Sequence, residues 1–505
     1  MDSPVVTQLF RQLFRHPACQ STRFATLRRP VITGHNRSAL ERQQRRPFLT
    51  KKDNNHNNAK KSNTENEPMW TKRGDYPRDI DQQLRTFPLV TAKELRSRRE
   101  RPRQVKMLTR EFIDDSLYNP HYGYFSKHAT IFHPGEPFDF NRIEDGPHFH
   151  RLLGERYTEF EDKLDERNPD IARQLWHTPT ELFRPYYGEA IARYLVTNYK
   201  LTLYPYHDLI IYEMGAGNGT LMLNILDFIR DTDPEVYQRT KFRIIEISSS
   251  LAEVQMKNLI DKGGHTGHVE IINKSIFDWN EYVHSPCFFL ALEVFDNFAH
   301  DAIRYDYETE MPQQGGVLID TDGEFCEYFN TTLDPLAARF LRTRQAAARR
   351  PFPLALPSKL SRGLRSSLPL GRRDFTLPEY IPTRLMQFFD ILRDYFPAHR
   401  LLASDFSTLP DAVPGLNAPV VQTRYQRRTV PVSTPFVLQG YFDIFFPTDF
   451  EVIEDVYRAV TGKLTFVTNH QDFMERWAYI EDTETKSGEN PLLTWYMNAK
   501  VLATV

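Results

Sequence analysis

Residues 213–220, Glu213-Met214-Gly215-Ala216-Gly217-Asn218-Gly219-Thr220, set a carboxylate ahead of three glycines at alternate positions. The apolar run Leu209–Tyr212 precedes the acid, and Leu221, Ile225, Phe228 and Ile229 follow at helical spacing. The pattern is that of a buried parallel strand, a tight turn and the start of a helix. Glycine suits a turn that needs unusual dihedrals and that a ligand approaches closely. The free amides at the helix start favour an anionic or strongly polar ligand group. Dinucleotide-binding turns read G-x-G-x-x-G or G-x-G-x-x-A. Here the third glycine comes one residue early, at Gly219, and Thr220 fills the fingerprint position. An ordinary strand-turn-helix is the bland alternative. Three more acidic positions follow apolar runs: Glu246, Asp278, and Glu293 with Asp296.

Acid-x-G-x-G-x-G at a strand end resembles the first motif of the S-adenosylmethionine-dependent methyltransferases. A carboxylate at Glu213 suits that cofactor's ammonium and would repel a pyrophosphate. In adenosine-binding doubly wound folds the acid closing the second strand accepts hydrogen bonds from the ribose hydroxyls. Glu246 is the candidate, with a surface carboxylate as the alternative. Asp278 stands where such folds place a polar residue against the adenine edge, unless it is a cap.

Leu108 to Ser126, then Tyr187-Gly188-Glu189-Ala190-Ile191, then Glu213 to Leu221 are similar, in order, to the family of mitochondrial complex I assembly factor 7 and its bacterial MidA-type relatives. The likeness spans about residues 105–305. Ile244 to Ser248, Leu251 and Gln255 meet a further family motif, and Glu293, Phe295, Asp296 and Asn297 another. Leu292 and Ala299 depart from that last one, where the family has Asn and Pro. The resemblance implies a methyltransferase fold and, in the mitochondrial members, symmetric dimethylation of an arginine on a complex I subunit. Such chemistry needs a carboxylate to orient a guanidinium of very high pKa, which a bidentate pair provides. Glu293 and Asp296 are the catalytic candidates; the alternative is that they only cap a following helix. The cofactor-side candidates are Gly188, Glu189, Glu213, Gly215, Gly217, Gly219, Thr220, Glu246 and Asp278. A mid-helix glycine such as Gly188 costs ~1 kcal/mol against alanine, so a close approach is expected there.

These residues need a scaffold to hold them. The expected fold is α/β, a doubly wound, mostly parallel sheet of Rossmann-like class I methyltransferase type, with helical N-terminal additions and insertions. Strands are expected from residue 209 and at 241–247, 269–273, 287–292, 400–406, 443–447 and 464–468, with a hairpin at 317–328. Asp405, near the end of one strand, is a further site candidate. Helices are expected at 108–118 with Thr109 as N-cap, and at 180–196, 248–259, 380–396, 449–460, 470–477 and 490–503. Val254 is expected to face inward. The methyltransferase-like unit is placed at 105–505, after an irregular extension at 66–104. Residues 138–175, charged and poor in apolar positions, read as a helical insertion. A second insertion, 335–378, is rich in arginine and reads as a solvated arm or a docking arm for an acidic partner. Residues 408–436 read as a proline-rich loop.

Residues 1–65 begin with an amphipathic, arginine-rich, acid-poor segment and continue in a polar stretch. They read as a mitochondrial transit peptide leading to the matrix, then a disordered linker. The net charge of -2 gives no reason to expect nucleic acid as a partner. No apolar run reaches the ~18 residues of a membrane span. Cys19, Cys287 and Cys326 are too scattered for a disulfide framework or a zinc site. The reading is a methyltransferase acting on a protein arginine. A non-catalytic assembly factor that keeps the fold is the first alternative. A nicotinamide-dependent oxidoreductase, which the glycine spacing opposes, is the second.

Overall fold

The computed structural model describes residues 80–127, 130–167, 175–259, 264–349, 374–410, 413–425 and 427–505. The expected transit peptide and linker, and the arginine-rich stretch from 350 to 373, lie outside the described residues. The main sheet has seven strands: β1 (Leu209–Met214), β2 (Thr240–Glu246), β3 (Val269–Asn273), β4 (Cys287–Leu292), β5 (His399–Phe406), β6 (Thr465–Asn469) and β7 (Ala499–Thr504). Their order is β6-β7-β5-β4-β1-β2-β3. β1 runs parallel to both β2 and β4, and β7 runs antiparallel to β5 and β6. The chain steps outward from β1 to β3 and then returns to the other side of β1. The switch point, where open α/β sheets bind ligands, therefore lies between the carboxyl ends of β1 and β4.

β4, and β1 as far as Tyr212, are apolar because both their faces are covered; Glu213 breaks the run only near the carboxyl end. Leu209 and Ile211 enter one core with Phe288 and Leu290, while Ile210 and Tyr212 enter the other with Phe289 and Ala291. Helices α1 (Thr109–Tyr118), α2 (Gly146–Arg167), α3 (Tyr186–Thr202), α4 (Thr220–Thr232), α5 (Ser249–Asn258), α6 (Thr383–Tyr395) and α7 (Phe450–Thr461) surround the sheets. α3 and α4 fill the first core through Ile191, Leu195, Leu221 and Ile225. α6 and α7 fill the second through Leu385, Phe389, Ile453 and Tyr457. Each such side chain contributes ~1.5–3 kcal/mol by burial. A second, antiparallel sheet pairs 312–319 with 105–108, 301–305 and the hairpin partner 325–330. α1 packs on it and carries acids towards the crevice.

Several local expectations fail for identifiable reasons. The helix expected at 180–196 is two: Pro179–Leu182, then α3 from Tyr186. Pro185 has no N–H to continue the ladder, so the chain restarts there. The terminal helix expected at 490–503 is one turn, Pro491–Thr494, and then β7. Ala499-Lys500-Val501-Leu502-Ala503-Thr504 satisfies a strand as readily as a helix, and pairing on both edges decides it. Residues 408–436 hold two strands, 420–425 and 428–431, and Asp443–Phe445 joins them in a separate three-stranded sheet instead of extending the main one. The 138–175 segment is helical as expected over α2, although it is not poor in core contacts: Phe149, Leu153 and Tyr157 form a buried stripe. In the arginine-rich stretch, Pro335–Ala347 is a helix whose Arg339 pairs with Asp390. Thr109 sits inside α1 with Leu108 as N-cap, and Val254 is exposed.

Candidate active site

The glycine turn between β1 and α4 adopts the conformation its composition demands. Gly215, Gly217 and Gly219 have φ of 71°, 55° and 78°, a region L side chains rarely adopt. A Cβ on Gly215 would meet Val294 Cγ1 at 2.7 Å, and one on Gly217 would meet Ile131 Cδ1 at 2.6 Å. The turn is tied down from three sides. Gln255 Nε2 donates to the Gly217 carbonyl at 2.9 Å and Asn258 Nδ2 to that of Asn218 at 2.9 Å. Glu181, buried, accepts from Thr220 Oγ1 at 2.8 Å and Asn218 Nδ2 at 2.9 Å, and lies 2.7 Å from His133 Nδ1. These bonds outweigh its burial and hold the Glu181 carboxyl below its usual range. Sequence reasoning missed Glu181. Its one local signal is Thr178-Pro179-Thr180-Glu181, a T-x-x-E helix start.

A cavity of about 370 Å³ opens over this turn. Glu213, Gly215, Gly217, Thr220, Glu246, Asp278, Glu293 and Asp296 line it together. Gly219 does not; it caps α4 in the left-handed conformation. Gly188 and Glu189 do not line it either. Gly188 lies in the first turn of α3, where a Cβ would strike Asn224 Cβ at 2.5 Å, so its role is close packing of α3 on α4. Glu189 pairs with Arg193 one turn on, at 3.3 Å. Glu213 is buried, and its Oε2 has no hydrogen-bond partner. Burial and the nearby Glu246 push its pKa up to about 8. Glu246 accepts from Ser248 N at 2.8 Å and Gln255 Nε2 at 2.9 Å, one on each oxygen. Asp278 caps nothing: Ser275 is the cap of that turn, and Arg96 donates to Asp278 at 2.6 Å.

At the end of β4 no helix follows, so Glu293 and Asp296 are not caps. Residues 293–298 form an irregular turn, with Glu293 at φ 55°. Asp405, at the end of β5, accepts from Phe295 N at 2.8 Å, Asp296 N at 3.2 Å and Phe406 N at 2.7 Å. Asp443 stands behind Asn297. Burial, with the neighbouring Asp405, drives the carboxyls of Glu293 and Asp296 well above their ordinary range. Burial also pushes Asp405 to about 7, against the pull of the backbone N–H groups. Among the described residues, no Lys, Arg or His pairs with Glu293, Asp296, Asp405 or Asp443. Asp296 Oδ1 and Asp443 Oδ2 have no partner at all. Tyr118, Phe125 and Trp176 form a stacked ring wall of the same cavity, 5.4 Å and 6.2 Å between centroids. Leu292 lines the cavity too, and Ala299 is packed in the core of the second sheet.

A profile of the family described as "Putative S-adenosyl-L-methionine-dependent methyltransferase" matches residues 190–468, more than half of the chain. The chain belongs to this methyltransferase family. It is 26% identical over 400 residues to the Schizosaccharomyces pombe protein named protein arginine methyltransferase NDUFAF7 homolog, mitochondrial, covering 74% of this chain and 80% of that one. The Saccharomyces cerevisiae protein of the same name is 22% identical over 330 residues, covering 61% and 74%. A crystal structure from Burkholderia thailandensis with bound S-adenosyl-homocysteine is 14% identical at a TM-score of 0.49, covering 79% of this chain and 87% of that one.

The residues present fit the methyltransferase cofactor, S-adenosylmethionine. The orphan Glu213 oxygen offers an anion to an ammonium, the glycine cradle leaves no room for Cβ atoms, and each Glu246 oxygen keeps a lone pair for a hydroxyl donor. Thr220 spends its hydroxyl on Glu181, so this methyltransferase uses it to brace the turn. No helix among the described residues is long and apolar enough to cross a membrane.

Proposed function

We propose that this methyltransferase modifies an arginine of a protein substrate. The observation that carries the reading is the set of acids at the acceptor end of the cavity, half-buried Glu293 and buried Asp296 backed by buried Asp405 and Asp443, with no cation of the protein's own paired to them among the described residues. Buried unpaired carboxylates are costly unless a ligand neutralises them. A guanidinium is a planar cation that carboxylates bind in a fixed fork, and the ring wall of Tyr118, Phe125 and Trp176 suits its flat face. The names of the fungal relatives support the same acceptor.

S-adenosylmethionine supplies the methyl group on its sulfonium. In this proposal Glu213 and the 215–219 turn hold its amino-acid end, Glu246 its ribose and Asp278 the adenine side. Glu293 and Asp296 orient the guanidinium, localise its charge away from the attacking nitrogen, and accept the proton that nitrogen sheds. Most of the rate comes from positioning and from carboxylate stabilisation of the cation. Symmetric dimethylation, a complex I subunit as acceptor and a matrix location complete the proposal, supported by the motif resemblance and the arginine-rich leader.

The test is transfer of tritiated methyl from S-adenosylmethionine to a mitochondrial protein extract, with the label identified after hydrolysis. Label in methylarginine, lost in Glu293→Ala, is the expected result. A wild-type protein that binds the cofactor and transfers nothing overturns the enzyme reading in favour of a non-catalytic assembly factor.

A further inference from the structure

We propose that Asp405 is the positioning residue of the acceptor end: its carboxylate holds the 293–297 turn in the arrangement that turns Glu293 and Asp296 into the cavity. The inference rests on the reading just given, that these two acids receive the acceptor.

The turn needs such a hold. Beyond β4 the backbone enters Glu293 in the left-handed region, which non-glycine residues seldom adopt. No helix or ladder of its own stabilises the next residues. Three partners fix residues 293–296 instead. The Ser404 carbonyl accepts from Glu293 N at 2.8 Å, the Asp296 carbonyl accepts from Phe446 N at 2.8 Å, and Asp405 takes the N–H groups of Phe295 and Asp296. Asp405 is the side chain among these; at Asn297 the Tyr118 hydroxyl donates to the carbonyl at 2.9 Å and Asn297 Nδ2 donates to Asp443 at 3.4 Å, so at 293–296 residue identity decides the hold through Asp405. Asp405 itself does not line the cavity, whereas Glu293 and Asp296 do. It acts through them.

The chemistry explains why an acid stands at a place already crowded with acids. One Asp405 oxygen serves Phe295 and Asp296 while the other serves Phe406. A carboxylate has about four lone-pair sites and no donor, so it satisfies all three. An asparagine must aim its NH₂ at one set of N–H groups and lose it. The ionised acceptor also makes the stronger bonds.

Two measurements on the full chain test this. In Asp405→Asn, amide exchange in a peptide covering 293–298 should quicken at least ~tenfold while that of β1 stays unchanged. Unchanged exchange at 293–298 overturns the proposal whether or not an acceptor is in hand. In the tritium assay, Asp405→Asn should lose ~10- to 100-fold in turnover, with S-adenosylhomocysteine affinity within about twofold of wild type. The double variant Asp405→Asn, Glu293→Gln should lose less than the product of the two single losses, because Asp405 works in part through Glu293. Losses that multiply, or a parallel loss of S-adenosylhomocysteine affinity, mean general destabilisation and overturn it. If wild type labels a residue other than arginine, the arginine reading falls, and the same comparison on that acceptor still decides the role of Asp405.

Discussion

Two groups of buried and half-buried acids lie close together in this protein, and they are treated in opposite ways. Beneath α1, Arg110 reaches Asp301 and, at 2.7 Å, Asp334, while Arg384 reaches Asp114 and, at 3.1 Å, Glu111. Arg344 pairs with Glu379 at 2.5 Å. At the carboxyl ends of β4 and β5, Glu293, Asp296, Asp405 and Asp443 have no such arginine among the described residues. The pKa directions follow the pairing only in part, for burial raises Asp301 too although Arg110 opposes it. Asp334 is held below its usual range by Arg110 against its burial, whereas Glu293, Asp296 and Asp443 are driven well above theirs. Asp114 is intermediate, pushed to about 6 by burial although Arg384 opposes it. The difference teaches that the first group is a closed structural network, neutralised from within. The second has no paired cation among the described residues, and its Glu293 and Asp296 line the cavity.

The largest effects should fall where this contrast is broken. Arg110→Met strands Asp301, which is fully buried, and should cost ~3–5 kcal/mol of stability in denaturant unfolding. Glu293→Gln should leave the fold and S-adenosylhomocysteine binding intact while methyl transfer falls by roughly 100- to 1000-fold. Asp296→Asn should behave oppositely to Arg110→Met. It removes an unpaired buried acid, so the ligand-free protein should be unchanged or more stable by ~1 kcal/mol, although transfer is lost. A melting point that drops as far as in Arg110→Met would erase the distinction.

The smallest effect is a pH dependence that sharpens it. Glu213 has a folded pKa near 8, above its unfolded value, so the folded state keeps a proton that the unfolded state has shed. Stability of the ligand-free protein must then fall as pH rises from the ordinary carboxylate range towards about 8. Affinity for S-adenosylhomocysteine, whose ammonium favours the ionised acid, should rise severalfold between about pH 6 and about pH 8. Glu213→Gln should flatten the affinity slope and lessen the stability slope, to which the raised Glu293, Asp296, Asp405 and Asp443 also contribute, read by titration calorimetry and by melting temperature.

Much of the site was legible because it is local. Glu213 and Gly215 to Thr220 are contiguous, Glu246 closes an apolar run, and Glu293 and Asp296 share one turn. Strand ends at a switch point face one crevice, so reading the strands nearly reads the site. Gly188 misled because a close approach to a helix and a close approach to a ligand leave the same mark, a glycine; only the Asn224 contact tells them apart. Glu181 was invisible because its partners, Thr220 and Asn218, lie 39 and 37 residues away with no pattern linking them.

By itself, then, the order of residues determined the glycine turn, the acids that end the strands and the two-faced burial of β1 and β4. Each follows from steric or apolar periodicity over a handful of neighbours. Tertiary structure alone decided that residues 499–504 complete the sheet between β5 and β6, and that Asp443 and Asp405 stand behind Glu293 and Asp296. Whether a buried acid meets an arginine or is left for a ligand depends on which distant segments fold against it. Asp405 and Phe295 are 110 residues apart, and no local spacing carries that information.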